Sequence, residues 1–241
     1  YQWKAHEASH YKWWKSRFNK LHKMVDIIRI DHFNGIAKYW KVPAGSSTAI
    51  NGEWVEGPGE NLFEEIFNCL GENAIIAEDL GEAEQEAAEL KNKYGIPGMK
   101  ILQFSFGNGH KSYPHNYPEN CVVYTGTHDN DTTVGWFHSR PGEGNTQSEN
   151  AIKTERKKVL KYLKTDGKEI HWDMIKTALS SKANTVIIPL QDILGLDSSA
   201  RMNVPGTVSG NWRWRFDWTM LTKEKMHRMK NLTTKFNRNH I

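Results

Sequence analysis

The feature that most constrains this chain is a series of five short apolar runs: VDIIRI, AIIA, MKILQFSF, VVYTGT and TVIIP. Runs of this length without polar alternation suit strands buried on both faces. Such strands pair in parallel, because their crossovers are helices that cover the sheet. The separations, a few dozen residues, are long enough for right-handed βα connections. Helical periodicity runs from Trp3 to about Met24, where Trp14, Phe18, Leu21 and Val25 recur at spacings of three and four. It returns around Leu62–Leu70, over Glu82–Tyr94 (stopped by Gly95 and Pro97), over Ser148–Leu163 and Trp172–Ser180, and in the basic tail Leu221–Asn237. The Gly/Pro-rich stretches Pro43–Gly59 and Met202–Gly210 read as loops within one domain, not as linkers. The expectation is an α/β fold. A closed (β/α)8 barrel needs eight strands and a doubly wound sheet five or six, so the count alone favours the doubly wound form.

Composition removes several classes. Mean hydropathy is −0.70, and no run of about 18 apolar residues exists to span a bilayer, so no membrane partner is expected. A hydrophobic content of 38% supports a packed core rather than disorder. Net charge is +4, but the cations are interspersed with acids. The densest run, KTERKKVLKYLK, reads as a solvated helix face rather than a nucleic-acid stripe. Cys69 and Cys121 lack metal-ligand spacing and sit in apolar surroundings; two reduced core thiols is the plainer reading, with a disulfide as the alternative. GNGHKS lacks a phosphate-loop pattern, which weakens a nucleotide reading. Ten tryptophans, several on glycine-rich loops as in GNWRWR, serve equally as core fillers and as flat surfaces for sugar rings.

Three of the five runs end in a carboxylate: Asp31, Glu78 and Asp129. In a parallel barrel the C-terminal strand ends are where catalytic groups converge. Three acids around one cup repel, which drives their proton affinities apart and lets one stay protonated while another stays ionised. Acid-assisted glycosidic cleavage needs that split. Arg29, two residues before Asp31 on an extended strand, points to the same face and would hold Asp31 ionised. His128 could donate to a sugar hydroxyl near Asp129. Taken singly, each acid also reads as a cap or turn residue, and Asp131-Thr132-Thr133 as the cap of the next helix. His128, Asp129, Asn130 and Asp131 are also donors of the kind divalent metals accept, although no metal is expected.

Beyond these separate signals, RIDHFNGIAKYWKVPAG, IIAEDLG, YGIPGMKILQFSF, VVYTGTHDNDTTVGW and MNVPGTVSGNWRWR occur in order over almost the whole chain. Together they resemble the amylomaltases, the 4-α-glucanotransferases of glycoside hydrolase family 77. The resemblance implies a (β/α)8 barrel and a retaining double displacement on maltooligosaccharides and other α-1,4-glucans, with no cofactor. It implies Asp31 as nucleophile, Glu78 as general acid then base, and Asp129 as stabiliser of the distorted sugar. Arg29 would orient Asp31, His128 would contact the donor sugar, and Asn211 and Trp212 would be glucan contacts.

Two departures stand out. The family often reads DHFRG where this chain has Asn34, a change expected to touch loop anchoring rather than chemistry. Family members are also about twice this length, and RIDH ends their fourth strand. Residues 1–241 are therefore expected to be the C-terminal part of a single barrel domain, strands four to eight, whose partner is the missing N-terminal part of the same protein. A barrel cut there leaves open edges and an apolar face, so the isolated chain is expected to be poorly soluble and inactive. The cytoplasm is the expected location, or a plastid for a plant-like parent. An α-amylase-type hydrolase and a non-catalytic carbohydrate-binding fragment are the alternatives.

Overall fold

The computed structural model describes residues 1–71, 74–81, 85–107, 113–142 and 147–239. The start of the helix expected from Glu82 and most of GNGHKS lie outside the described residues. The chain forms two compact units, Tyr1–Met99 and Lys100–Ile241.

In the first unit, α1 (Trp3–Ala8) and α2 (Lys12–His22) precede β1 (Ile28–Ile30), α3 (Asn34–Ala37) and the strands β2 (Lys38–Lys41) and β3 (Glu53–Glu56). Then follow α4 (Gly59–Leu70), β4 (Ile75–Ala77), α5 (Gln85–Lys93) and β5 (Gly98–Ile101), within which the unit boundary falls. The amphipathic face of α4 explains its placement: Leu62, Phe63, Ile66 and Leu70 are all buried. They pack into one core with Ile28, Phe33, Ile75 and Ala77, and Phe33 meets Phe63 edge to face at 5.7 Å. Gly71, at φ 80°, ends the helix in a conformation that favours glycine.

Two local readings need correction. The expected single helix from Trp3 to Met24 is two helices, because His10 and Tyr11 both take left-handed backbone angles. Tyr11 is nonetheless buried, so the apolar spacing continues across the break and hides it. The stretch read as a loop from Pro43 to Gly59 contains β3, which pairs antiparallel with β2. Trp40 opposite Trp54 at 5.4 Å and Lys41–Glu53 at 3.0 Å hold this hairpin. It carries mostly exposed residues, so it lacks the apolar run that marks a buried strand.

The second unit continues with short 3-10 turns at Leu102–Phe106 and Pro114–Asn116, then β6 (Cys121–Tyr124), α6 (Thr133–His138), α7 (Glu149–Leu163), α8 (Ile170–Leu179), β7 (Thr185–Ile187), α9 (Leu190–Leu194) and α10 (Lys223–Lys235). The MKILQFSF run thus leaves the strand at Ile101. The sheet order is β5-β6-β7, with β6 and β7 parallel and Val123 opposite Val186. Each of the five expected strands is present, in two small sheets separate from the β2–β3 hairpin. Thr132 caps α6 as expected, accepting from Gly135 N–H at 3.0 Å. Helix α7, which carries most of the basic run, buries only Ile152, Glu155 and Val159 and leaves Lys153, Lys157 and Lys161 exposed. The tail docks on α8 through Met229, Leu232 and Phe236 against Trp172. Arg238 closes that end by donating to the carbonyls of Leu179 at 3.0 Å and Ser181 at 2.6 Å. Neither cysteine is in a disulfide.

Phe63 is fully buried at the centre of the first unit, so Phe63→Ala is expected to lower unfolding free energy by about 3–5 kcal/mol. Urea denaturation checks this, and a loss below about 1 kcal/mol would contradict the packing described.

Candidate active site

In the first unit β1 and β4 run parallel, with Arg29 opposite Ile76 and Ile30 opposite Ala77. The next residue on each strand is an acid, Asp31 and Glu78, so the register delivers both to the same C-terminal end. Main-chain pairing continues past the strands: Glu78 N–H donates to Ile30 O at 2.9 Å, and Phe33 N–H donates to Glu78 O at 2.9 Å. His32 then takes φ 48°, turning the chain from β1 into α3. That turn aims His32 N–H at Glu78 Oε2, 2.7 Å away, while Leu80 N–H reaches Oε1 at 3.2 Å. Arg29 Nη2 donates to Asp31 Oδ1 at 2.8 Å, and the Asp31 side chain is 75% exposed, so its carboxylate is both paired and open to a ligand. Arg29 Nε faces Met99 Sδ at 3.3 Å.

Behind these residues lies an acid that sequence reasoning did not single out. Asp79 accepts Met99 N–H at 2.8 Å and pairs with Lys91 of α5 at 2.9 Å, its side chain only 11% exposed. A Cβ on Gly98 would overlap this carboxyl group, which is why glycine opens β5. Asn34, the departure from the family motif, is buried and donates to Leu80 O at 3.5 Å, joining α3 to the loop after Glu78.

In the second unit β6 leads into the loop Thr125–Thr133. Asp129 Oδ1 accepts from Asn203 Nδ2 at 2.6 Å, its carbonyl accepts from Arg201 Nη2 at 2.8 Å, and its Oδ2 lies 3.4 Å from His128 Nε2. Asn203 N–H also donates to His128 O at 3.1 Å. The His128 ring sits 5.2 Å from that of Trp212, which is half exposed and held at φ 62°. Asn211 is engaged with its own loop: Oδ1 accepts Val204 N–H at 3.0 Å and Nδ2 donates to Thr207 Oγ1 at 3.0 Å. It shapes the loop that presents Trp212. Asn130 Oδ1 accepts from the N–H and hydroxyl of Thr127, and Asp131 accepts from Thr132 N–H and Ser198 Oγ. These two HDND side chains are therefore turned to their own surroundings. Among the described residues no group of three or more His, Cys, Asp or Glu could hold a metal.

The first unit thus brings Arg29, Asp31 and Glu78 together, and the second gathers His128, Asp129 and Trp212 with Asn211 in support. Asn203 had no signal in the sequence beyond its place in the MNVPG motif, and Arg201, just before that motif, had none. Asp192 did have one, since it follows the fifth apolar run as the other acids follow theirs. It is 1% exposed; burial raises its pKa, and hydrogen bonds from Thr125 and Thr133 oppose the rise.

The sequence pattern of glycoside hydrolase family 77, described as 4-alpha-glucanotransferase, matches residues 1–222. A 4-alpha-glucanotransferase of Synechocystis is 48% identical over 221 residues, 90% of this chain and 42% of that protein. The chloroplastic/amyloplastic 4-alpha-glucanotransferase of Arabidopsis thaliana is 47% identical over 218 residues, 89% of this chain and 36% of that protein. An amylomaltase from Streptococcus agalactiae, solved in complex with acarbose, superposes with a TM-score of 0.90 at 36% identity, covering 100% of this chain and 47% of that one. The fold class is α/β, of the kind seen in glycoside hydrolases. The chain belongs to glycoside hydrolase family 77, the 4-alpha-glucanotransferases, and spans less than half the length of these relatives.

Gly98→Ala is expected to push the Asp79 carboxylate off Lys91 and Met99 N–H, costing about 1–3 kcal/mol of stability. In a double-mutant cycle with Asp79→Ala the two losses should be clearly less than additive. Additive losses in urea denaturation would refute the overlap.

Proposed function

We propose that this chain is the acid-bearing part of a 4-alpha-glucanotransferase, comprising strands four to eight of one (β/α)8 catalytic domain, and that it works with the further length its relatives possess. Its substrates are maltooligosaccharides and other α-1,4-glucans. The observation that carries the proposal is the β1–β4 register, which sets Asp31 and Glu78 side by side with Arg29 on Asp31, in a chain of this family.

The reaction is a retaining double displacement. The Asp31 oxygen not bound by Arg29 attacks the anomeric carbon. Glu78 gives its proton to the departing glycosidic oxygen, exchanging a main-chain donor for the substrate to do so. The reducing-end part of the glucan leaves with that proton on its 4-oxygen, and the rest stays bonded to Asp31. An acceptor's 4-hydroxyl then loses its proton to Glu78 and attacks the same carbon, releasing Asp31 and restoring the α-linkage. Asp129, oriented by Asn203, stabilises the positive charge that develops on the distorted ring. His128 and Trp212 contact the sugar, with Asn211 shaping their loop. The chemistry uses protein groups only.

No helix among the described residues is long and apolar enough to cross a membrane. The proposed location is a plastid if the parent is plant-like, as the name of the chloroplastic/amyloplastic enzyme of Arabidopsis thaliana supports, and the cytoplasm otherwise.

The test is maltotriose given to the chain completed to the length of its relatives. Glucose together with longer maltooligosaccharides is expected; glucose and maltose alone would indicate a hydrolase, and binding without turnover a carbohydrate-binding protein. Glu78→Gln should lower transfer by roughly 10²–10⁴-fold while leaving glucan binding intact. Undiminished turnover by that variant would remove Glu78 from the acid/base role.

A further inference from the structure

We infer that Asp192 is a positioning residue for Asp129: it buckles together the two ends of the Thr125–Thr133 loop and so fixes where the Asp129 carboxylate stands. The inference rests on the role proposed above for Asp129, and gives a place to a buried acid that the double displacement leaves unused.

Asp192 lies in the first turn of α9, just after β7. Its Oδ2 accepts from Thr125 Oγ1 at 2.5 Å and from Thr133 Oγ1 at 2.8 Å, and its Oδ1 accepts Thr133 N–H at 2.7 Å. Thr125 is the residue where β6 gives way to the loop, and Thr133 is the first residue of α6. One carboxylate therefore grips both ends of the segment that carries Asp129. All three residues are essentially without solvent contact: Thr125 and Thr133 are 0% exposed and Asp192 1%. Beside the loop is a cavity of about 140 Å³, with Asn130, Asp131 and Thr132 along its wall and Gln191 and Asp192 also lining it. The loop thus borders open space and is placed by its hydrogen bonds rather than by close packing on that side.

Without the carboxylate, two hydroxyls and one N–H are left buried without their acceptor. Such groups are costly to leave unpaired, and the adjoining space lets the loop move to satisfy them. Asn130 and Asn203 would still hold parts of the loop, so the protein folds while Asp129 loses its fixed position. An asparagine at 192 keeps the bond from Thr133 N–H and can donate from its amide to both hydroxyls.

The experiment compares wild type, Asp192→Ala, Asp192→Asn and Thr125→Val in the chain completed to the length of its relatives. The readouts are initial rates on maltotriose and hydrogen exchange resolved along residues 125–133. Asp192→Ala is expected to lower kcat roughly 10–100-fold with KM nearly unchanged, as misplacement of a group acting in the transition state does. Exchange should accelerate in the loop and not elsewhere. Asp192→Asn should recover most of the loss, and Thr125→Val should give a smaller loss of the same kind, which keeps the test decisive if Asp192→Ala fails to fold. Unchanged kcat per folded molecule, or exchange that rises throughout the chain, overturns the positioning role. Exchange reports the buckle without turnover, so a wild type that transfers no glucose units sinks the glucanotransferase reading while the loop result still decides the buckle.

Discussion

The hydrogen-bonded register between β1 and β4 governs what the first unit can present. Side chains alternate along a strand, so a slip of one residue would exchange the buried and the presented faces. With Ile30 opposite Ala77, Asp31 and Glu78 leave their strands at the same level. The same register aligns Glu78 N–H with Ile30 O and Phe33 N–H with Glu78 O. These bonds need only backbone, yet they set the positions of two acids 47 residues apart in the chain. The strands are three residues long, so much of their precision comes from the core beneath, where α4 packs Phe63 and Ile66 against them.

Each unit pairs a presented carboxylate with a concealed one. Asp31 is mostly exposed, while Asp79 holds Met99 in place and Met99 sulfur faces the same Arg29 guanidinium that donates to Asp31. Asp129 is partly exposed, while Asp192 grips the ends of its loop. Concealed carboxylates are retained only where they are well bonded, since an unpaired one is heavily penalised. Asp79 has a lysine and an N–H; Asp192 has two hydroxyls and an N–H. The acid open to ligand directly follows a strand in the first unit and sits in the loop after one in the second, and in both the concealed acid reaches in from a separate stretch of chain.

The strands were legible as uninterrupted apolar runs, although only β6 is buried throughout and β7 leaves Thr185 and Ile187 exposed; Asp31, Glu78 and Asp129 were legible as the acids that end three of them. Arg29 followed from two-residue periodicity. What escaped was whatever depends on contacts distant in sequence or on single backbone angles. Nothing local in MNVPG says that Asn203 will meet Asp129, and nothing in the apolar spacing of the first helix reports the two left-handed residues at His10 and Tyr11. The β2–β3 hairpin stayed hidden because its strands are half polar and its stabilising pair, Trp40 with Trp54, is recognised only once the register is known. The bonds of Asn211 to Val204 and Thr207 within its own loop likewise had no local signal beyond the GNW motif.

The left-handed turn at His32 has a consequence for variation in this family segment. Branching at Cβ makes that backbone region strongly unfavourable, so valine, isoleucine and threonine are disfavoured at 32 whatever they might offer a sugar. Selection on this site is exerted by a torsion angle before any substrate arrives, and the neighbour of the proposed nucleophile should drift mainly among glycine, asparagine, aspartate and histidine.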